Sequence, residues 1–328
     1  MNGKLPPILM TPAFRYGKMT PWGGEGLRRF GKQIPDSKTG ESLEVSVLPG
    51  LESRDETGRP LSGLLKAYGA AMRGTSVGEE FPLLLKLISS DDWLSVQVHP
   101  GDEYARMYEQ GKLGKTEAWV ILDAEPGAEI VYGIREGVTK DMLAAACGKG
   151  GEAIRACLRF VQVQAGDVFL IPAGTVHALG RGVTVAEIQQ SSDVTYRFYD
   201  WDRVDAQGRS RELHIAKGLD VVNTGRQPEK CAGRPFGLGG AQGLRYADGP
   251  AFTLDRLTVR GEMRLGATPE SFRLLMAMGD GELSWAEGSA RLSCGQSVFL
   301  PAQLTETVLT GELDVLVMAP ATEQTGGA

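Results

Sequence analysis

The histidines of this chain are few, and two of them lie where a strand-like run meets a turn. Of the three histidines in 328 residues, His99 precedes the final proline of the run WLSVQVHP and His177 follows the turn of IPAGTVHALG. Because successive side chains of a strand point to opposite faces, Ser95, Gln97 and His99 share one face and the apolar residues between them share the other. The apolar face can pack in a core, whereas the polar face needs partners.

A metal ion is one partner that would satisfy these polar side chains. Together with Glu117 in the next run, GKTEAWVIL, the residues Gln97, His99 and His177 offer one amide oxygen, two imidazoles and one carboxylate. Such a set suits Zn²⁺ and is tolerable to other divalent first-row metals. With a single anionic ligand, Zn²⁺ would keep net positive charge and room for substrate, as in a catalytic site. A strand histidine is also commonly no more than a hydrogen-bonded residue, so spacing alone leaves both interpretations open.

Glycine is abundant and dispersed, with 44 residues set between short Val, Leu and Ile runs. This pattern predicts many short strands joined by turns, and therefore a mostly β fold, either a barrel or a sandwich, with helical decorations. The strand-length runs are LLLKLI, AWVIL, DVFLIP, VTVAEIQ, FTLDRLTV, FRLLMAM, SVFLP and DVLVMAP. Apolar residues recur at three and four in the segments that we predict to be helical, 61–73, 102–110 and 140–160.

An internal echo indicates two related β units. Residues 165–180 and 294–311 share a Gly, an apolar strand, a Pro six residues after that Gly and a further apolar segment. The place of His177 is taken by Glu306 in the second copy, and no histidine follows His214. Since zinc sites depend heavily on His and Cys ligands, we expect the second unit to bind no metal.

A stretch rich in Gly, Pro and basic residues, 223–240, has no apolar period and predicts a linker. The chain would then divide into an N-terminal unit, 1–222, and a smaller C-terminal unit, 241–328. The N-terminal unit would carry a small helical insertion near 140–160.

Charge and cysteine content exclude several classes of protein. A net charge of -6 and a pI near 5.3 argue against a broad nucleic-acid surface, although they allow a local basic pocket for a small anion. The first residues lack a secretory pattern, and no apolar run approaches the roughly 18 to 20 residues that span a membrane. We therefore expect a cytoplasmic protein that binds neither nucleic acid nor membrane. The four cysteines are scattered without a Cys-x-x-Cys pair and are expected to be reduced.

Three smaller features favour structural roles. GLGG (237–240) lacks the lysine of a phosphate loop and is predicted to be a turn. YRFYDWDR (196–203) suggests an aromatic nucleic-acid platform, but the acidic chain favours a strand end that feeds a loop. His214 has no partners at ligand spacing and is expected to be structural.

Seven motifs follow one another between residues 21 and 203, namely PWGG, GESLEVS, FPLLLKLI, LSVQVHP, GKTEAWVIL, IPAGTVHALG and AEIQQSSDVTYRFYDWDR. In type and order they resemble the motifs of the type I mannose-6-phosphate isomerases, zinc-dependent cupin enzymes, in their short bacterial form. The C-terminal third resembles this family only weakly. One departure is Leu43, which stands where the family often has Trp, and we expect it to change packing and not function.

The resemblance implies a role for each matching residue. Its metal ligands fall on Gln97, His99, Glu117 and His177. Its catalytic residues fall on Arg197, Lys115, Glu187 and Asp193. Substrate contacts fall on Ser95 and Lys86. Structural roles also stay open, because Asp193 could serve only to orient Arg197, and Lys86 could be a strand residue that reaches solvent.

The resemblance further implies a bicupin, with two jelly-roll or barrel domains, that interconverts mannose 6-phosphate and fructose 6-phosphate with one Zn²⁺ per chain, as a monomer or weak homodimer. An enediol intermediate develops negative charge, which zinc and nearby cations would stabilise. Two alternatives remain, a metal-dependent cupin oxygenase and a catalytically idle sugar-binding cupin. Gln97 as a fourth ligand and the cationic pocket residues favour a sugar phosphate over oxygen chemistry.

Overall fold

Strands dominate the fold, as the dispersed glycines predict. The computed structural model describes residues 5–225 and 227–321, in which three antiparallel sheets are accompanied by short helices. Strands hold 41% of the residues and helices 16%, so the mostly β prediction is confirmed. The polar end of the chain, 322–328, lies outside the described residues.

Two sheets face each other in the N-terminal part. The first has six strands in the order β2-β3-β4-β11-β6-β9, and the second has five in the order β12-β5-β10-β7-β8. Their bounds are β2 Ala13–Tyr16, β3 Thr39–Val45, β4 Leu83–Ser90, β5 Val96–Val98, β6 Glu117–Ala124, β7 Glu129–Ile134, β8 Leu158–Gln162, β9 Val168–Ile171, β10 His177–Leu179, β11 Val183–Gln190 and β12 Tyr196–Tyr199.

The third sheet has nine strands and lies mostly in the C-terminal part. Its path is β1-β19-β16-β20-β15-β14-β13, and β17 pairs with both β18 and β20. The bounds are β1 Ile8–Leu9, β13 Arg234–Leu238, β14 Ala241–Asp248, β15 Phe252–Leu265, β16 Arg273–Ala277, β17 Gly281–Trp285, β18 Gly288–Leu292, β19 Ser297–Leu300 and β20 Thr307–Pro320. The N-terminal strand β1 therefore pairs within the C-terminal sheet, and β13 lies inside the stretch predicted to be a linker. The GLGG motif ends β13 and forms the turn into β14.

In residues 5–225 and 227–321, six α-helices connect the strands, with two short 3-10 helices at Gly17–Met19 and Gly26–Phe30. They are α1 Leu61–Tyr68, α2 Ala70–Arg73, α3 Asp102–Tyr108, α4 Lys140–Lys149, α5 Gly151–Arg155 and α6 Ile215–Val221. The prediction of helix to residue 160 was wrong at its end. Leu158 pairs with Ile134 at the start of β8, so cross-strand pairing outweighs the local helical period. None of the described helices is long and apolar enough to cross a membrane.

Alternation along β4 explains how the sheets stack. Leu83, Leu85 and Leu87 are buried in a cluster with residues of the C-terminal sheet such as Leu274 and Met318. The residues between them, including Lys86, face a pocket on the other side. Burial of the leucine face provides the hydrophobic stabilisation that joins the two parts of the chain. The polar face is thereby held toward the five-stranded sheet.

The two similar segments, 165–180 and 294–311, form corresponding strands and turns. In the first, β9 ends before Pro172 and His177 begins β10, while in the second β19 ends before Pro301 and Glu306 precedes β20. His177 is fully buried, whereas the Glu306 carboxylate is 53% exposed and pairs with Arg264 at 3.1 Å. The two matching positions therefore differ in environment as well as in residue type.

Candidate metal and substrate site

A polar pocket of 320 Å³ lies between the two N-terminal sheets. The described residues that line it all precede residue 212, so strands of the C-terminal sheet do not contribute to its wall. It contains five cations, Arg15, Lys86, Lys115, Arg197 and Arg211. Three anions, Glu41, Glu187 and Asp193, accompany them. The excess of cations suits an anionic ligand.

His99, Glu117 and His177 form one cluster, in which their ligand atoms all lie within 4.8 Å of one another. Nε2 of His177 is 3.2 Å from Glu117 Oε1, and Nε2 of His99 is 3.5 Å from Oε2. Nδ1 of His177 donates to the Thr175 carbonyl at 2.9 Å, which leaves the Nε2 lone pair directed to the cluster. His99 directly follows β5, and Glu117 and His177 begin β6 and β10, so these strands bring the three residues together from distant parts of the sequence.

The chemistry of these atoms fits a cation. Oε1 of Glu117 and Nε2 of His177 are buried and make no hydrogen bond within the described part of the chain, whereas Oε2 of Glu117 forms an ion pair with Lys115. Burial lowers the pKa of His99 well below its ordinary value, and the charge of Lys115 lowers it further. Burial likewise lowers the pKa of His177. Both imidazoles are therefore neutral, which is the form that binds a metal. A buried carboxylate oxygen that accepts no hydrogen bond also favours a cation.

Lys115 lies beside this cluster. Its Nζ is 3.0 Å from Nε2 of His99 and 2.9 Å from Oε2 of Glu117. The ammonium also borders the pocket, so it lies between the cluster of His99, Glu117 and His177 and the pocket.

Gln97 belongs to a row of polar residues that crosses the five-stranded sheet. It pairs with His177 of β10 on one side and with Arg197 of β12 on the other. Residues directly opposite each other in a ladder project from the same face. Gln97 and Arg197 accordingly both line the pocket, as does the buried Ser95.

A chain of alternating charges crosses the six-stranded sheet. Lys86 donates to Oε1 of Glu187 at 3.0 Å and lies 3.8 Å from Glu41, which in turn accepts from Arg15 at 3.1 Å. Trp119 donates to the second oxygen of Glu187 at 2.8 Å. Burial opposes the charge of Lys86, but the two carboxylates raise its pKa overall. Lys86 thus lies in a buried ion pair and does not reach solvent.

Arg197 and Asp193 are separate in the structure. Arg197 donates from Nη1 to the carbonyl of Glu212, and its own backbone N–H donates to Nδ1 of His214. Asp193 lies at the rim of the pocket and accepts from Lys112 at 2.7 Å. Arg197 is therefore oriented by the segment around His214, and Asp193 pairs elsewhere.

Comparison with known proteins identifies the family of this chain. A family model described as the catalytic domain of type I phosphomannose isomerase matches residues 18–123. A mannose-6-phosphate isomerase of Streptococcus mutans is 36% identical over 300 residues, which are 90% of this chain and 93% of that protein. The mannose-6-phosphate isomerase ManA of Bacillus subtilis is 35% identical over 314 residues, covering 95% of this chain and 98% of that protein.

The chain belongs to the type I phosphomannose isomerase family. Its structure agrees, because the crystal structure of the mannose 6-phosphate isomerase from Bacillus subtilis superposes with a TM-score of 0.87 at 34% identity. That match covers 95% of this chain and 99% of the other. The family suggested by the ordered motifs is thus confirmed over nearly the whole chain, including the C-terminal third.

Sequence reasoning missed several pocket residues of this family member. Glu41 lies in the motif GESLEVS and Trp119 in GKTEAWVIL. Nothing in the local sequence indicates that Glu41 lies near Lys86 or that Trp119 donates to Glu187. Arg15 and Arg211 also line the pocket. Arg211 forms a two-bonded pair with Asp200 from the YRFYDWDR motif. The only signal for such pocket residues was alternation, which places an acidic or aromatic residue on the polar face of a predicted strand.

Proposed function

We propose that the protein interconverts mannose 6-phosphate and fructose 6-phosphate. The observation that supports this most directly is the buried cluster of His99, Glu117 and His177, which adjoins a pocket with more cations than anions. Relatives that align over nearly the whole chain are named for the same reaction. A hexose phosphate is an anion of a size that such a pocket suits.

We further propose one Zn²⁺ per chain, held by the His99, Glu117 and His177 side chains with Gln97 as a fourth ligand. The neutral imidazoles and the buried carboxylate support this choice, because nitrogen and oxygen donors of this kind suit zinc. When bound, zinc supplies a Lewis acid that polarises the carbonyl and stabilises enediol charge. Gln97 is included because it adjoins His177 in the ladder.

The chain's own residues would divide the remaining tasks. Arg197 offers a planar fork of fixed charge for the enediol oxygens or the phosphate. Lys115, between the cluster and the pocket, is suited to exchange protons with substrate oxygens. Burial opposes ionisation of Glu187, but the charges of Lys86 and Lys115 lower its pKa to about 2. Glu187 would accordingly act as a fixed carboxylate, since a base with so low a pKa abstracts protons weakly at neutral pH.

Asp193, Ser95 and Lys86 complete the proposed site. Asp193 at the rim could take part through its ion pair with Lys112, and the Ser95 hydroxyl could donate to the phosphate. Lys86 would act on the substrate through Glu187 and through the positive potential of the pocket.

The proposed architecture is a bicupin whose metal site lies in the N-terminal domain, 1–222, with a linker that ends before β13 and a metal-free second domain that begins at β13. The packing of Leu83, Leu85 and Leu87 on the C-terminal sheet supports a covering role for that domain. A cytoplasmic monomer or weak homodimer remains our expectation.

The test is a panel assay of metal-stripped protein supplied separately with Zn²⁺ or Fe²⁺. Mannose 6-phosphate, other hexose 6-phosphates and free mannose would serve as substrates. We expect Zn²⁺ to restore conversion of mannose 6-phosphate to fructose 6-phosphate, with free mannose turned over far more slowly. Oxygen consumption that depends on Fe²⁺ would favour the oxygenase, and binding without turnover of any sugar phosphate would favour the idle module.

A further inference from the structure

The turn that follows β12 has an unusual backbone. Trp201 and Asp202 have φ angles of 57° and 56°, in the left-handed region that favours glycine. For residues with a side chain this conformation costs about 1–2 kcal/mol, and a bulky aromatic residue there is a true outlier. Something in the surrounding structure must hold the turn in place.

The side chains of the turn supply those contacts. Nε1 of Trp201 donates to the carbonyl oxygen of Leu94 at 2.6 Å. The indole ring lies 4.8 Å from the ring of Trp93 and 5.2 Å from that of Tyr199. The carboxylate of Asp202 accepts from the hydroxyl of Tyr199 at 2.7 Å. Trp201 is thus held at its polar end by a hydrogen bond and along its ring by two aromatic neighbours.

The hydrogen bond from Trp201 to Leu94 replaces a backbone pairing that β12 and β5 do not make. In the pairing of β12 with β5, Arg197 lies opposite Gln97, and Tyr199 lies opposite Val96 after a register shift. The next step, two residues further, would pair position 201 with Leu94. The backbone turns away at that point, and the indole N–H reaches the Leu94 carbonyl instead. The N–H of Leu94 meanwhile donates to the carbonyl of Leu179, the last residue of β10.

Arg203 makes a second connection to the same segment. Its Nη2 donates to the carbonyl of Trp93 at 2.7 Å and to Asp92 at 3.1 Å, while Nη1 donates to Asp200 at 3.2 Å. Both connections reach the residues just before Ser95. The turn after β12 is therefore tied to the segment that leads into β5.

We propose that Trp201 is a positioning residue that fixes the register of β12 against β5 and so holds Arg197 opposite Gln97 on the pocket face. The pairing is irregular between Arg197 and Tyr199, so β12 could pair with β5 in more than one register. A one-residue slip would turn each side chain of β12 to the opposite face. Such a slip would remove Arg197 from the pocket. The effect on turnover rests on the proposed isomerase function, whereas the effect on register does not.

The variant Trp201→Phe tests this, since it keeps an aromatic ring and removes only the N–H. Trp285→Phe, in the C-terminal sheet, is the matched control. Hydrogen exchange of the peptides that cover 94–99 and 196–200 would be measured together with zinc content, kcat and KM for mannose 6-phosphate. We expect about fivefold to tenfold faster exchange in Trp201→Phe, as loss of one hydrogen bond implies. We also expect kcat to fall about tenfold at unchanged zinc content, as small misplacements of a catalytic group do. The control should match the parent.

Arg203→Met supplies a second readout should Trp201→Phe fail to fold, and we expect the same direction of change. Parent-like exchange in both peptides would overturn the proposal, and so would a fall in kcat without faster exchange. If the parent itself turns over no sugar phosphate, the proposed function fails, and the exchange data alone decide whether Trp201 fixes the register.

Discussion

Glu187 and Lys86 lie directly opposite each other in the pairing of β11 with β4, with Oε1 and Nζ 3.0 Å apart. Their side chains are only 4% and 6% exposed. Breaking such a pair leaves one buried charge without its partner, which costs far more than loss of a surface ion pair. The pair therefore fixes both the polar floor of the pocket and the ionisation of Glu187.

This pair predicts how stability depends on pH. The folded-state pKa of Glu187 is lowered from 4.5 to about 2, so its contribution is present above about pH 4.5 and is lost as the pH falls toward 2. At pH 6 we expect the free energy of unfolding of the metal-stripped parent protein to be about 3 kcal/mol larger than that of Glu187→Gln. At pH 3 we expect a smaller difference. Urea unfolding at both values measures it. A difference independent of pH would contradict the assigned ionisation, and Lys86→Met should weaken the dependence because it removes the charge that lowers this pKa most.

His177→Ala should lose the metal as well as turnover. Removing one ligand from an incompletely closed catalytic site opens it further, so the affinity for zinc should fall by orders of magnitude. Elemental analysis after gel filtration measures zinc per chain. His214→Ala is the control and should keep its zinc, because His214 lies outside the cluster of His99, Glu117 and His177. Full zinc occupancy in His177→Ala would remove His177 from the ligand set.

Arg197→Lys should lower kcat by more than an order of magnitude while zinc content and thermal stability stay near those of the parent. Lysine preserves the charge but loses the planar fork that can bind two oxygens at once. Steady-state kinetics and elemental analysis check the two parts of the prediction. Near-native kinetics would reduce Arg197 to a general contributor of positive potential.

Glu306→Ala should leave zinc content and turnover within a few-fold of the parent. Its carboxylate pairs with Arg264 at the surface, where both side chains are more than half exposed. Exposed pairs of this kind contribute about 0–1 kcal/mol. Loss of zinc in this variant would mean that the C-terminal unit takes part in metal binding, contrary to its lack of histidines.

Much of this arrangement could be predicted from local sequence pattern. Alternation in LLLKLI places Lys86 opposite the leucine face, and the polar face of Ser95, Gln97 and His99 follows from the same period. The pairing of β5 with β10 could not be predicted this way, because it depends on which strands become neighbours. The helical prediction through Leu158 failed for that reason as well.

The contacts of individual side chains were less predictable. Asp193 lies four residues before Arg197 in the sequence, but its carboxylate bonds to Lys112 at the rim of the pocket. Trp201 adopts a left-handed backbone that no local propensity favours. Such features depend on tertiary contacts that hold a residue against its local preference.

The most direct test of the central claim is a zinc titration of the metal-stripped protein, with isomerisation of mannose 6-phosphate measured at each step. A site built from His99, Glu117 and His177 predicts that activity rises linearly with added Zn²⁺ and stops at one equivalent per chain. Full activity in the metal-free protein, or a rise that continues to a second equivalent, would contradict the claim that this one cluster holds the catalytic metal.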